Sequence, residues 1–191
     1  MKVIAFNGSS RPQGNTFVLL NQVLDVLREH HIETELIQLG GKPLGGCLAC
    51  YQCFQNKDRR CAQDQDRLND YLAGMIEADG ILLGSPVYFA DLTANMKALI
   101  ERCGMVERAN ADLFKRKVGA AVVAVRRAGA VHTFDSLNHF FLINQMIVPG
   151  SSYWNVSIGR QPGEVRNDQE GMQTMKNLGQ NMAWLLEKIN R

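Results

Sequence analysis

The sequence has no apolar run approaching the roughly 18 residues that a membrane-spanning helix needs. It has no block of like charge beyond the short pieces FKRK and VRR. Lys and Arg number 21 and Asp and Glu 19, a net charge of +2. Such a balance gives no reason to expect nucleic acid or another polyanion as partner. The N-terminal stretch lacks the layout of a secretory signal and reads as a strand at once. These absences predict a cytoplasmic protein with no membrane association. In that compartment the five cysteines, four of them between positions 47 and 61, are not expected to form a disulfide framework. No repeat, linker or low-complexity stretch divides the chain, so residues 1–191 are expected to form a single domain.

What is present is a regular alternation. Lys2 to Phe6 is a short apolar run with β-branched residues, suited to a buried strand. Thr16 to Arg28 carries apolar residues at helical spacing, with Asn15 or Thr16 placed to cap it. Glu33 to Leu39 predicts a second strand, 40–61 a loop, and 67–77 a helix capped by Asp64 or Asp66. Residues 80–89 predict a third strand that breaks at Ser85-Pro86. A helix over 93–102, a strand over 117–125, a helix over 134–146, a fifth strand over 146–150 and a closing helix over 172–189 complete the pattern. Apolar strands separated by helices predict an α/β fold with a parallel sheet covered on both faces. Five such units fit a doubly wound, three-layer α/β/α arrangement of strand order 2-1-3-4-5.

In such a sheet, ligands bind beyond the carboxyl ends of the strands, where the strand order reverses. The loop NGSSRPQGNT, residues 7–16, falls there. Gly8 and Gly14 permit close approach of an anion. Ser9, Ser10, Asn15 and Thr16 offer short donors, and Arg11 a charge-assisted bond. The helix that follows adds unpaired N–H groups. Five residues separate the two glycines and Asn15 stands where a Walker loop has lysine, so ATP is a poor fit. No G-x-G-x-x-G is present for a dinucleotide. A single terminal phosphate suits the loop better. The second loop, SPVYFADL, offers an apolar and aromatic wall at Pro86, Val87, Tyr88 and Phe89 for a flat ring.

The pieces GSSRPQGNT, GSPVYF and MKALIER, in this order, resemble the NADPH-dependent FMN reductase family of flavodoxin-like proteins. The likeness extends through KVGAAVVAVRRAGA and MIVPGSSYWN. It implies an FMN phosphate at Ser9, Arg11, Gly14, Asn15 and Thr16, and the isoalloxazine ring against Pro86 to Phe89. It implies that the third loop, Arg126 to Ala130, approaches the flavin from the other side, with Arg127 and Gly129 as contacts. The resemblance also implies NAD(P)H as electron donor, a small-molecule acceptor or redox protein as recipient, and a homodimer or homotetramer. No side-chain acid or base is required. A flavodoxin-like domain that binds a partner without redox work is the non-enzymatic alternative.

Cys47, Cys50, Cys53 and Cys61 are spaced C-x2-C-x2-C-x7-C. The first spacings match a ferredoxin run, although the end does not. Zinc would accept four thiolates, but its structural sites usually pair two separated knuckles. The motif resembles that of the iron–sulfur flavoproteins, which implies a [4Fe–4S] cluster feeding FMN. Thiols without a metal remain the alternative. Arg59 and Arg60 stand beside the fourth thiol, where positive charge favours the thiolate. Cys103 reads as a packing residue. His30, His31, His132 and His139 carry no catalytic signature. The aromatic pair in SSYWN, 151–155, is a candidate cover for a neighbouring subunit's flavin.

Overall fold

The computed structural model describes residues 1–41 and 43–190; Lys42, inside the segment expected as a loop, and Arg191 lie outside them. Five strands form one parallel sheet: β1 (Lys2–Asn7), β2 (Glu33–Gln38), β3 (Gly80–Pro86), β4 (Val118–Val125) and β5 (Val156–Ile158). Their order is β2-β1-β3-β4-β5, the expected one. The helices are α1 (Asn15–Glu29), α2 (Gln52–Asn56), α3 (Leu68–Glu77), α4 (Ala94–Ala109), α5 (Ala130–Ile143) and α6 (Gln169–Ile189), with a 3₁₀ turn at Glu164–Asn167.

Alternate strand residues face opposite layers, as the pleat requires. Val3, Ala5, Leu82, Ala120 and Val122 pack with Leu20 and Leu24 of α1 and Leu178 and Met182 of α6. Ile4, Phe6, Ile81, Leu83, Ala121 and Val123 pack on the other face with Leu72, Met75, Leu99, Phe140 and Phe141 from α3, α4 and α5. Every residue of β4 is buried, whereas β2, at the sheet edge, is only partly covered.

The fifth strand departs from expectation. It lies at Val156–Ile158, inside the polar stretch, and not at 146–150. Ile147 does meet β4: Gly119 N donates to its carbonyl at 2.9 Å, and its own N–H donates to Lys117 O at 2.9 Å. That pairing remains an isolated bridge to Val118. Pro149 has no N–H with which to continue a ladder. The chain leaves the sheet there and rejoins β4 at Val123. Two helices differ most from their expected bounds. α5 begins immediately after Gly129, and α4 runs to Ala109. The short α2 interrupts the expected loop; left-handed Tyr51 and Lys57 bound it at either end.

Candidate functional site

The carboxyl ends of β1, β3, β4 and β5 meet three loops. The first, 8–14, is shaped by side chains from neighbouring elements. Asn7 donates to Gln38 Oε1 at 2.7 Å and accepts from Ser9 N at 3.1 Å. Gln38 Nε2 donates to Ser9 O at 2.5 Å. Ser9 Oγ accepts from Arg11 N at 3.1 Å. Thr93, which caps α4, donates to Gly8 O at 2.9 Å. Four polar side chains, those of Asn7, Ser9, Gln38 and Thr93, thus fix a loop of small residues.

Neither Asn15 nor Thr16 caps α1, contrary to expectation. Gly14 is the N-cap and no side chain bonds the helix start, so the first-turn N–H groups stay open to an outside acceptor. Asn15 instead ties this corner to the far end of the sheet. Its Nδ2 donates to Gly159 O at 2.9 Å and its Oδ1 accepts from Val165 N at 3.5 Å. A Cβ on Gly159 would stand 2.9 Å from Asn15 Nδ2 and 2.8 Å from Val165 N, so only glycine fits. The Thr16 hydroxyl is buried and has no hydrogen-bond partner. Buried hydroxyls are normally satisfied; this one sits at a helix N-terminus beside a cavity that it lines.

The second loop turns tightly. Tyr88 and Asp91 exchange backbone bonds of 2.8 and 3.1 Å. The two residues between them, Phe89 and Ala90, have φ of 48° and 66°, a left-handed pair that costs non-glycine residues conformational energy. The turn leaves Phe89 at 108% relative exposure. The third loop braces the second. Gly129 has φ of 88°, and a Cβ there would meet Val87 Cγ1 at 2.9 Å and Ala90 Cα at 3.0 Å.

These loops enclose a cavity of ≈ 150 Å³ lined by Ser9, Arg11, Asn15, Thr16, Pro86, Val87 and Tyr88, with Ala124, Arg126, Gly159 and Arg160. Seven residues expected at the site therefore line one space. Gly14, Phe89, Arg127 and Gly129 do not. Arg126 takes the place foreseen for Arg127, which is not among the lining residues. Gly159 and Arg160 were missed because the fifth strand was expected earlier in the chain. Three guanidinium groups and no carboxylate line the cavity, an environment suited to an anion. Just outside it, Glu164 Oε2 accepts from Gln161 N and Arg160 N at 2.6 Å each, and these bonds hold its carboxyl below the usual range.

Two larger grooves have different chemistry. One, of ≈ 380 Å³ between α4 and α5, mixes Asp91 and Glu101 with Lys97 and Arg108. The other, of ≈ 420 Å³ around Phe134, Tyr153 and Trp154, has no charged side chain in its lining. Tyr153 and Trp154 pack edge to face at 4.7 Å and remain about half exposed.

The cysteines gather at a second place. Cys47, Cys50, Cys53 and Cys61 all line one small cavity with Arg102, Met105 and Val106. None is in a disulfide. Among the described residues, no three His, Cys, Asp or Glu side chains are placed to hold a single metal ion. The segment is strained: Ala49, Tyr51, Lys57 and Arg59 all have positive φ. Asn69 clamps Cys61, accepting from its N–H at 2.8 Å and donating to its carbonyl at 3.0 Å. Burial pushes the Cys53 thiol up. Arg59 and Arg60 are exposed. The arginine that reaches Cys61 is Arg102 of α4, whose Nε donates to Cys61 Sγ at 3.3 Å. Burial alone would raise the carboxyl of its partner Asp66. The Arg102 guanidinium and the N–H groups of Leu68 and Gly45 outweigh that effect and hold it below the usual range. Burial drives the isolated Cys103 thiol far up, in keeping with a packing role.

An iron–sulfur flavoprotein of Methanocaldococcus jannaschii is 39% identical over the full length of both chains. An iron–sulfur flavoprotein of Methanosarcina thermophila is 31% identical, with 100% of this chain and 98% of that one covered. Among solved structures, the WrbA-like flavodoxin of Agrobacterium tumefaciens superposes with a TM-score of 0.68 at 12% identity, covering 98% of this chain and 97% of that one, a likeness of fold. The model of the NADPH-dependent FMN reductase family matches residues 1–161, and the chain belongs to that family of flavodoxin-like oxidoreductases.

Proposed function

We propose that this protein is an FMN-dependent oxidoreductase that binds the flavin phosphate in the cavity at the carboxyl end of the sheet. The observation that carries the reading is the Thr16 hydroxyl, buried without a partner, on a residue that lines a space shared with Arg11, Arg126 and Arg160. A phosphate oxygen would satisfy it. At ≈ 150 Å³ the cavity is smaller than the roughly 300–1,000 Å³ of a whole ligand site. The phosphate end would enter it, and the ring would lie outside against Pro86, Val87, Tyr88 and Phe89. Gly14 lets the loop close on the anion, and Gly129 holds the second loop in place from behind.

When bound, FMN supplies hydride and one-electron chemistry, and the protein supplies position and electrostatics. Ser9 and Thr16 orient the phosphate, the arginines neutralise it, and the first-turn N–H groups of α1 add the helix dipole. The Val87–Phe89 turn shields one ring face and leaves the other for an electron donor, NAD(P)H, and a small-molecule or protein acceptor.

A second reading of the electron source is favoured by four thiols on one cavity. The donor set suits a [4Fe–4S] cluster, which four thiolates bind and which is larger than any single ion. It supplies one-electron transfer when bound. Cys47, Cys50, Cys53 and Cys61 would hold it. We further propose a homodimer or homotetramer, with the Tyr153–Trp154 pair at the contact.

Anaerobic purification tests both readings. An absorption spectrum with flavin bands, together with a one-to-one FMN titration of the stripped protein, supports the first. Stoichiometric iron and sulfide support the second. Failure to bind FMN at saturating concentration would overturn the first outright. Stopped-flow reduction by NADH and by NADPH identifies the donor, and light scattering gives the oligomer.

A further inference from the structure

Arg102 is an anomaly in α4. Leu99, Arg102 and Val106 follow the spacing of an inward helix stripe, and all three are buried. The Arg102 side chain has 0% exposure. A buried guanidinium is tolerated only where its donors are met. Here they are met almost entirely by the cysteine segment. Nη1 donates to Asp66 Oδ2 at 2.5 Å and to Gly45 O at 3.2 Å. Nη2 donates to Gln63 O at 2.7 Å. Nε donates to Cys61 Sγ at 3.3 Å. One planar fork thus grips the chain just before Cys47 and just after Cys61, and it also touches the fourth sulfur.

We propose that Arg102 is the positioning residue of the four-cysteine site, closing the segment into a ligand set and tuning it through the N–H···S bond to Cys61. The proposal rests on the reading of the cysteines as cluster ligands. Two consequences separate it from a role in packing alone. Hydrogen bonds and positive charge at a ligating sulfur stabilise the more negative, reduced form of a cluster, so they raise its reduction potential. The fork also cannot be replaced by a point charge. Lysine keeps the charge but cannot meet Asp66, two carbonyls and a sulfur together.

The experiment compares wild type with R102K and D66N, reconstituted anaerobically with iron and sulfide. R102K is expected to release iron to a chelator roughly 10- to 100-fold more readily, the usual effect of losing an outer partner of a ligand. Its remaining cluster is expected at a more negative potential, by about 59 mV for each tenfold loss of preference for the reduced form. D66N retains the N–H···S bond and is expected to shift the potential less than R102K. In the iron-free proteins, release of the segment is expected to expose Cys61, now only partly exposed, so that in R102K it alkylates faster than in wild type although its sulfur has lost a donor. Cys103, fully buried, should stay protected and so report an intact fold. R102K with wild-type iron retention and unchanged potential overturns the role of Arg102 and leaves the cluster reading standing. Wild type that takes up no iron overturns both. R102K with Cys103 exposed has lost its fold; D66N then decides, and wild-type iron retention together with unchanged Cys61 labelling overturns the proposal.

Discussion

Replacing Thr16 by valine should move stability and affinity in opposite directions. The Thr16 side chain is 1% exposed and its hydroxyl has no partner. Valine keeps the branched shape and removes the unsatisfied oxygen. Leaving a polar atom buried and unpaired costs about 1–3 kcal/mol. The flavin-free T16V protein should therefore be more stable than wild type by a fraction of that amount, or about 2–4 °C in Tm for each kcal/mol in a chain of this size. The holo protein loses a hydrogen bond to a charged oxygen, worth about 1.5–3 kcal/mol. FMN affinity should fall roughly 10- to 150-fold, at about 1.4 kcal/mol per factor of ten. Urea unfolding of the stripped proteins gives the first quantity, and flavin fluorescence titration the second. A variant that is less stable without flavin yet binds FMN as tightly as wild type would show that Thr16 serves the fold, and the phosphate assignment would fall with it.

Three further outcomes follow from other parts of the molecule. G159A should cost about 1–3 kcal/mol of stability through overpacking, since the new Cβ meets Val165 N at 2.8 Å and Asn15 Nδ2 at 2.9 Å. It should also weaken FMN binding; thermal melts and titrations matching wild type would refute this. In the metal-free protein at pH 8, Cys47 and Cys50, both exposed, should alkylate first. Cys53, whose thiol burial raises, should follow, and Cys103 should react only on unfolding. Time-resolved mass spectrometry reads that order. Burial, aided by Asp112, raises the buried Glu107 carboxyl above its ordinary value of 4.5, outweighing the lowering effect of the Phe114 N–H. Its stabilising contribution is then full below pH 4.5 and drains as the pH rises through the higher folded value. E107Q should gain on wild type in urea unfolding at pH 8 more than at pH 5; an equal difference at both would contradict the assignment.

The sheet order was legible because β1, β3 and β4 are buried on both faces and so are written as continuous apolar runs. The first loop, which lines the cavity, was legible from its small residues and its place after β1. Other features left weaker traces. Strand β5 has only three residues and follows a proline-interrupted bridge, so the apolar MIV stretch drew attention to the wrong segment, and Gly159 and Arg160 were lost with it. Helix α2 is five residues long with left-handed ends, too short for any periodicity to register. Arg102 did leave a signal, a charge at the inward helical spacing of Leu99 and Val106. Its meaning lay in Gly45, Gln63, Asp66 and Cys61, which no local pattern connects to it. That Asn15 faces Gly159 and leaves the helix uncapped was likewise a fact of three dimensions.

The Asn15–Gly159 bond joins positions 144 residues apart in the chain. The mouth of the cavity is consequently a long-range contact, assembled only after the sheet's final strand has docked and undone as soon as that edge frays. Contacts of this separation form late and at high loop-closure cost. A nucleotide that bridges the same corner would act as a clasp on the outermost strand, so its largest protection against hydrogen exchange should fall on residues 156–165, far in sequence from the loop that grips it.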